Sequence, residues 1–212
     1  MTTKQKAENI IKELETLYPE VECGLIWNGN PWHLLIMAIL SARCKDSTVN
    51  DVAPKLFDTF KTPYDMANAD IKDIETAIRG IGLYHSKAQA LKECCKRLCE
   101  AYGGEVPSGM DDLLTLRGVG RKVANLIRGD LYHLGGIVAD THCIRISGRL
   151  GFANGKDPLD TEKKLEKIIP KEKQSDYCHR MVLFGREYCP SQNPKCDICP
   201  LKKYCVYEKN GK

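Results

Sequence analysis

Three groups of residues have the types and spacing that chemistry needs. The first is the stretch "LRGVGRKVANLI", Leu116 to Ile127, in which Gly118 and Gly120 flank one valine and an apolar run at helical spacing follows. Glycines permit backbone angles closed to other residues, and they leave the amides uncovered. Amides at the start of a helix attract anions, phosphate above all. Lys122 stands just past this turn, where the helix dipole disfavours a cation. Either it is a solvated surface lysine, or something negative arrives to meet it. Four basic residues and no acidic one lie between Arg117 and Arg128. Arg121 and Arg128 strengthen the pull on an anion.

An amine beside a phosphate can also be a nucleophile, and a nucleophile needs a partner. At an ordinary lysine pKa of about 10.4, few molecules carry a neutral amine near neutrality. Partial burial and the flanking Arg121 are expected to lower that value. The second group supplies a carboxylate. Asp140 lies in "IVADTHCIRISGRLG", ahead of the apolar positions Ile144, Ile146 and Leu150. It has two readings: a helix cap that accepts a backbone N–H, or a proton acceptor and cation stabiliser for Lys122.

The third group is four cysteines. Cys189, Cys196, Cys199 and Cys205 form C-x6-C-x2-C-x5-C. Four thiols this close in a reducing compartment point to a metal site. Structural zinc usually takes two tight pairs, and here only one pair is tight. Four thiolates also suit a [4Fe–4S] cluster. Spacing alone leaves the choice open. Lys195, Lys202 and Lys203 put positive charge around the loop, either as a solvated face or as a phosphate contact.

The elements that must position these residues read as helices. "PWHLLIMAILSA" is apolar nearly all round, so it is expected to be a helix buried mid-domain. Asp46 or Ser47 is expected to cap the helix carrying Val49, Val52, Leu56 and Phe57. "SKAQALKECCKRLCEAYGGEVP" is a long helix stopped by glycines and then proline. Alternating strand patterns are hard to find, so the fold is expected to be all-α. "RGIGLYHSKAQAL" from Arg79 echoes "RGVGRKVANLI" from Arg117. The echo is either shared turn chemistry or two turns facing one ligand.

The chain has 212 residues, 42% of them hydrophobic, and a net charge of +4. That suits a globular protein of one or two domains and permits a nucleic-acid partner without proving one. No signal peptide or membrane span is apparent, so an intracellular, cytoplasmic setting is expected, with reduced thiols. The other seven of the eleven cysteines then read as free thiols.

"LRGVGRKVAN", "VADTHCIRISGRLG", "ILSARCKDSTVN" and "IGLYHSKA" resemble the endonuclease III group of helix-hairpin-helix DNA glycosylases. The likeness runs from about Pro31 to Cys205, with motif order and spacing kept. The resemblance implies two helical lobes with a central cleft. One is a helical barrel domain with the hairpin, residues 24–136. The other is an iron–sulfur domain, residues 1–23 plus 137–212. Lys122 and Asp140 are then expected to face each other across the cleft. The resemblance makes Lys122 the nucleophile and Asp140 the essential carboxylate of a bifunctional glycosylase and AP lyase. The four cysteines become ligands of a [4Fe–4S] cluster. Gly118, Gly120 and Arg121 become DNA contacts. Leu83 becomes a wedge between bases rather than a core leucine. Ser41 and Asp46 are expected to line the lesion pocket, with the helix cap as the rival reading of Asp46. The expected partner is double-stranded DNA with damaged bases, oxidised pyrimidines in particular, or abasic sites. A monomer associated with the nucleoid through DNA is implied.

The chain departs from that pattern at four places. Arg43 stands where the family usually has a glutamine that fills the gap opposite an extruded base. Lys45 replaces a small polar residue, Leu114 an acidic one and Arg117 a proline. Two rivals share the fold. One is an adenine-excising relative, which generally lacks this lysine and carries an added C-terminal domain, whereas seven residues follow Cys205 here. The other is a non-catalytic DNA-binding module with Lys122 only a phosphate contact. An electron-transfer protein built on the cluster does not explain the hairpin.

Overall fold

The computed structural model describes residues 1–207. In chain order the α-helices are α1 (Thr3–Leu17), α2 (Pro31–Leu40), α3 (Asp46–Thr59), α4 (Pro63–Asn68), α5 (Ile71–Ala77), α6 (Tyr84–Tyr102), α7 (Met110–Leu114), α8 (Arg121–Leu126), α9 (Thr141–Arg149), α10 (Pro158–Glu166) and α11 (Gln174–Glu187). No strand occurs among the described residues. A π-helical turn, Ile127–Leu131, continues α8. The chain forms two compact units, Cys23–Tyr132 and Met1–Glu22 with His133–Lys212. None of the described helices is long and apolar enough to cross a membrane.

In the unit Cys23–Tyr132, α2 is the central element. Leu34 to Leu40 are all buried, as the all-round apolar pattern requires. Asn30 caps α2 by accepting the N–H groups of Trp32 and His33, and Pro31 occupies the first helical position. Around α2 pack α3, α6 and α8, while α6 also covers α4 and α5. The long helix α6 ends at Gly103 in the left-handed conformation, φ 60°, as the glycine stop signal anticipated.

In the other unit, α11 packs against α1 and α9, and α10 against α9. Tyr177, Met181 and Phe184 of α11 are buried, and so are Ile10, Ile11 and Leu14 of α1. Past α11 the regular elements among the described residues are the short 3-10 turns Cys196–Ile198 and Lys202–Tyr204. Leu201 is the buried aliphatic of this segment.

Candidate active site and metal centre

The hairpin forms as the glycines demand. Gly118 adopts φ +85°, which costs a side-chain-bearing residue about 1–2 kcal/mol. A Cβ there would also sit 3.0 Å from Ile39 and 3.4 Å from Ala90, so the turn lies tight against α2 and α6. Gly120 differs: it is extended (φ −98°, ψ 179°), it is the N-cap of α8, and nothing lies within 4 Å of the place its Cβ would take. No side chain caps α8. Between the glycines Val119 is buried, while Gly118, Gly120, Arg121 and Lys122 are exposed. The partial burial expected of Lys122 is therefore absent. Apolar anchoring of the following turn falls to Ala124 and Ile127, which leaves the lysine on the open side.

The echo motif shares the buried aliphatic between its glycines but not the backbone, since neither Gly80 nor Gly82 is left-handed. Ile81, between Gly80 and Gly82, is 1% exposed, whereas Leu83 is 63% exposed and left-handed, φ 61°. Leu83 is thus a surface residue and not a core leucine. Arg43 is likewise exposed and left-handed, φ 56°. Ser41 ends α2 and is half-buried, its hydroxyl donating to the carbonyl of Ala38 at 3.0 Å. Asp46 is not a cap, contrary to expectation, and neither is Ser47. Lys45 is the N-cap of α3 and no side chain caps that helix. The helix starts one residue earlier than that reading needs, so Asp46 is already its first helical residue, and its carboxylate lies against Gly24.

In the other unit, Asp140 is the N-cap of α9, and its Oδ1 accepts the N–H of Cys143 at 2.7 Å. The cap reading therefore holds for one carboxylate oxygen. Val138 leads into the cap by donating its N–H to the Cys178 sulfur at 3.3 Å.

Helix α9 also reaches two of the four cysteines, Cys189 and Cys205, through two residues that sequence reasoning missed. Arg149 donates from Nη1 to the Cys189 sulfur at 3.0 Å and to the Pro190 carbonyl at 2.8 Å. Its Nη2 donates to the Ser191 carbonyl at 2.9 Å. Arg145, one turn earlier, donates to the Cys189 carbonyl at 2.9 Å. The Cys205 thiol donates to the Arg149 carbonyl at 3.3 Å. Two arginines four residues apart share a helix face, and that spacing was the available signal. None of the four cysteines forms a disulfide. The Cys199 thiol is pushed up to about 11, first by burial and then by the nearby Cys189, Cys205 and Cys196 sulfurs.

This donor set fits an iron–sulfur cluster. Four thiols sharing one neighbourhood repel as thiolates, and a bound cationic centre removes that repulsion. The Arg149 guanidinium adds a charge-assisted donor to a sulfur, as cluster sites use.

Residues 36–171 match the model of the HhH-GPD superfamily of base excision DNA repair proteins. Residues 191–205 match that of the iron–sulfur binding domain of endonuclease III. The endonuclease III of Bacillus subtilis is 38% identical over 97% of this chain and 94% of its own length. That of Escherichia coli is 37% identical over 97% of both chains. A solved endonuclease III–DNA covalent intermediate, trapped with an estranged adenine, superposes with a TM-score of 0.92 at 42% identity, covering 99% of each chain.

Proposed function

Because the chain belongs to the endonuclease III family of HhH-GPD base excision DNA repair proteins, we propose that Lys122 is its nucleophile and Asp140 its essential carboxylate. The protein is a bifunctional DNA glycosylase and AP lyase of base excision repair, and it carries a [4Fe–4S] cluster. Oxidised pyrimidines and abasic sites in double-stranded DNA are the proposed substrates. The proposed setting is intracellular, with the protein a monomer held near the nucleoid by DNA.

The chemistry follows from the side chains. The target nucleotide leaves the stack, at a cost of a few kcal/mol. The neutral Lys122 amine attacks the sugar C1′. The N–C1′ bond to lysine forms as the glycosidic bond breaks and the base departs with its electron pair. Asp140 faces the positive charge that develops on the sugar, or accepts the proton that the amine sheds. The C1′–O4′ bond then breaks, O4′ takes up the proton that the amine shed, and the nitrogen lone pair closes a protonated imine on Lys122, which acidifies the C2′ hydrogen. Loss of that proton expels the 3′ oxygen and breaks the strand. Release of the lysine by water regenerates the enzyme.

The remaining residues bind. Gly118, Gly120 and Arg121 hold a neighbouring phosphate at the hairpin. Leu83 and Arg43 enter the duplex and fill the space left by the extruded nucleotide. Ser41 and Asp46 line the pocket that takes the damaged base. Cys189, Cys196, Cys199 and Cys205 hold the cluster, which supplies a rigid crosslink to a segment with little apolar core of its own. DNA affinity falls steeply with salt.

One observation carries this reading: Lys122 is exposed at the first turn of α8, directly behind a glycine turn that is packed onto α2 and α6. Borohydride reduction in the presence of abasic DNA tests it. The wild type is expected to form a permanent protein–DNA link and Lys122→Gln none. A link that persists in Lys122→Gln, or none in the wild type, overturns the assignment.

A further inference from the structure

Every helix ends with carbonyls that no helical N–H reaches, and the C-terminus of α2 accounts for its own in an unusual way. Met37 accepts from the Ser41 N–H at 2.9 Å, Ala38 from the Ser41 hydroxyl at 3.0 Å and Ile39 from the Ala42 N–H at 3.4 Å. The last, Leu40, accepts from a residue 47 positions away, the ammonium of Lys87 at 2.7 Å. Lys87 lies on the first turn of α6 and is 7% exposed, a rare burial for a lysine. Its backbone N–H donates at 3.1 Å to the carbonyl of Leu83, which also accepts the Ser86 hydroxyl at 3.0 Å.

One residue thus touches two joints. Three residues past Leu40 stands Arg43, and four before Lys87 stands Leu83, both exposed and both left-handed without being glycine. Such backbone conformations persist only where the surroundings over-determine them. A cation suits the negative end of α2, which explains why a lysine occupies the position despite burial. Burial pushes its pKa down, while the Cys44 thiol of the same loop acts in the opposite direction.

We infer that Lys87 is a positioning residue, a crosspiece that holds the Leu83 turn and the Arg43 loop at a fixed separation so that both side chains enter the duplex together. The inference rests on the glycosylase reading above and deepens it. Lys87 touches no DNA and takes no part in the imine chemistry. It sets the geometry of the two side chains that part the bases.

The test uses the full chain with its cluster. Lys87→Met keeps the apolar stem and removes the donor, and Lys87→Arg restores a charged donor. One probe is a duplex with a tetrahydrofuran abasic analogue opposite 2-aminopurine, whose fluorescence rises when it is unstacked. Others are natural abasic sites in duplex and in single-stranded DNA, where no stack has to be parted. Lys87→Met is expected to lower single-turnover cleavage of the duplex by about tenfold relative to single-strand cleavage, as misplacement of positioning groups does. The 2-aminopurine signal is expected to fall with it, and Lys87→Arg is expected to recover part of both. On a Leu83→Ala, Arg43→Ala background, Lys87→Met is expected to change duplex cleavage by less than about twofold, because interacting sites are non-additive.

Equal loss on duplex and single strand, no loss on either, or full additivity on the double-alanine background overturns the inference. If Lys87→Met does not fold, Lys87→Gln is read in its place by the same criteria. A wild type that forms no borohydride adduct with any abasic DNA brings down the glycosylase reading itself. A wild type that traps normally beside an unimpaired Lys87→Met brings down only the role of Lys87.

Discussion

One oxygen of the Asp140 carboxylate accepts the backbone N–H of Cys143 at 2.7 Å, so the side chain assigned to chemistry also starts helix α9. The two roles can be separated. Asp140→Asn retains an oxygen for the cap and loses the charge, whereas Asp140→Ala loses both. The asparagine variant is expected to keep nearly full stability, and the alanine variant to lose about 0.5–2 kcal/mol. Both are expected to lose glycosylase activity. Chemical denaturation beside single-turnover excision checks this, and an active Asp140→Asn enzyme removes the carboxylate from the mechanism.

Gly118 and Gly120 differ in what they do. Gly118→Ala meets a left-handed backbone and Ile39 at 3.0 Å. It is expected to destabilise the fold by about 1–3 kcal/mol. Gly120→Ala meets open space on an extended backbone. Its stability is expected to stay within about 0.5 kcal/mol of wild type, while DNA affinity falls because a methyl group stands over the amides. Melting curves and duplex titrations distinguish the two, and equal affinity for Gly120→Ala counts against phosphate binding at the hairpin.

Lys122 is a cation at the start of a helix, where the dipole opposes it by about 0.3–1 kcal/mol. Lys122→Gln is therefore expected to be as stable as the wild type or slightly more stable, while strand cleavage is abolished. A variant that loses cleavage together with stability shows a structural defect instead.

Arg149 ties α9 to the start of the cysteine segment through its bonds to Cys189, Pro190 and Ser191. Arg149→Ala leaves those acceptors without their donor, at about 1–3 kcal/mol for each one left buried. Iron content and visible absorbance are expected to drop. Arg149→Lys is expected to recover little, since an ammonium lacks the planar fork. Full iron occupancy in the alanine variant refutes this.

Because burial lowers the Lys87 pKa, the folded protein releases this proton before the unfolded chain does. The stability linked to it is complete above the unfolded value of about 10.4 and is lost as pH falls through the lower folded value. The wild type is expected to gain stability relative to Lys87→Met as pH rises toward that limit. Denaturation at a series of alkaline pH values checks the sign, and a flat difference contradicts it.

Particular residues mark where reading from sequence stopped. The α2 helix, the glycine stop of α6 and the hairpin were legible because they rest on local rules: apolar periodicity, φ > 0 at glycine, and the lack of a side chain over amides. Asp140 was legible as a cap for the same reason. Of the two readings of Asp46, helix cap and pocket lining, the cap does not hold, because α3 starts one residue earlier, and single-residue shifts of that kind escape periodicity. Lys122 was expected to be partly buried and is exposed, because burial depends on which neighbours the chain brings over a residue.

By itself, then, the sequence determined which residues can carry chemistry here: an amine behind a glycine turn, a carboxylate at a helix start and four closely spaced thiols. Those are covalent and local facts. Only the tertiary structure decided that Lys87 completes the end of α2 across 47 residues, and that Arg149 reaches Cys189 across 40. A hydrogen bond depends on separation in space, and no spacing along a chain encodes that distance until the helices have packed.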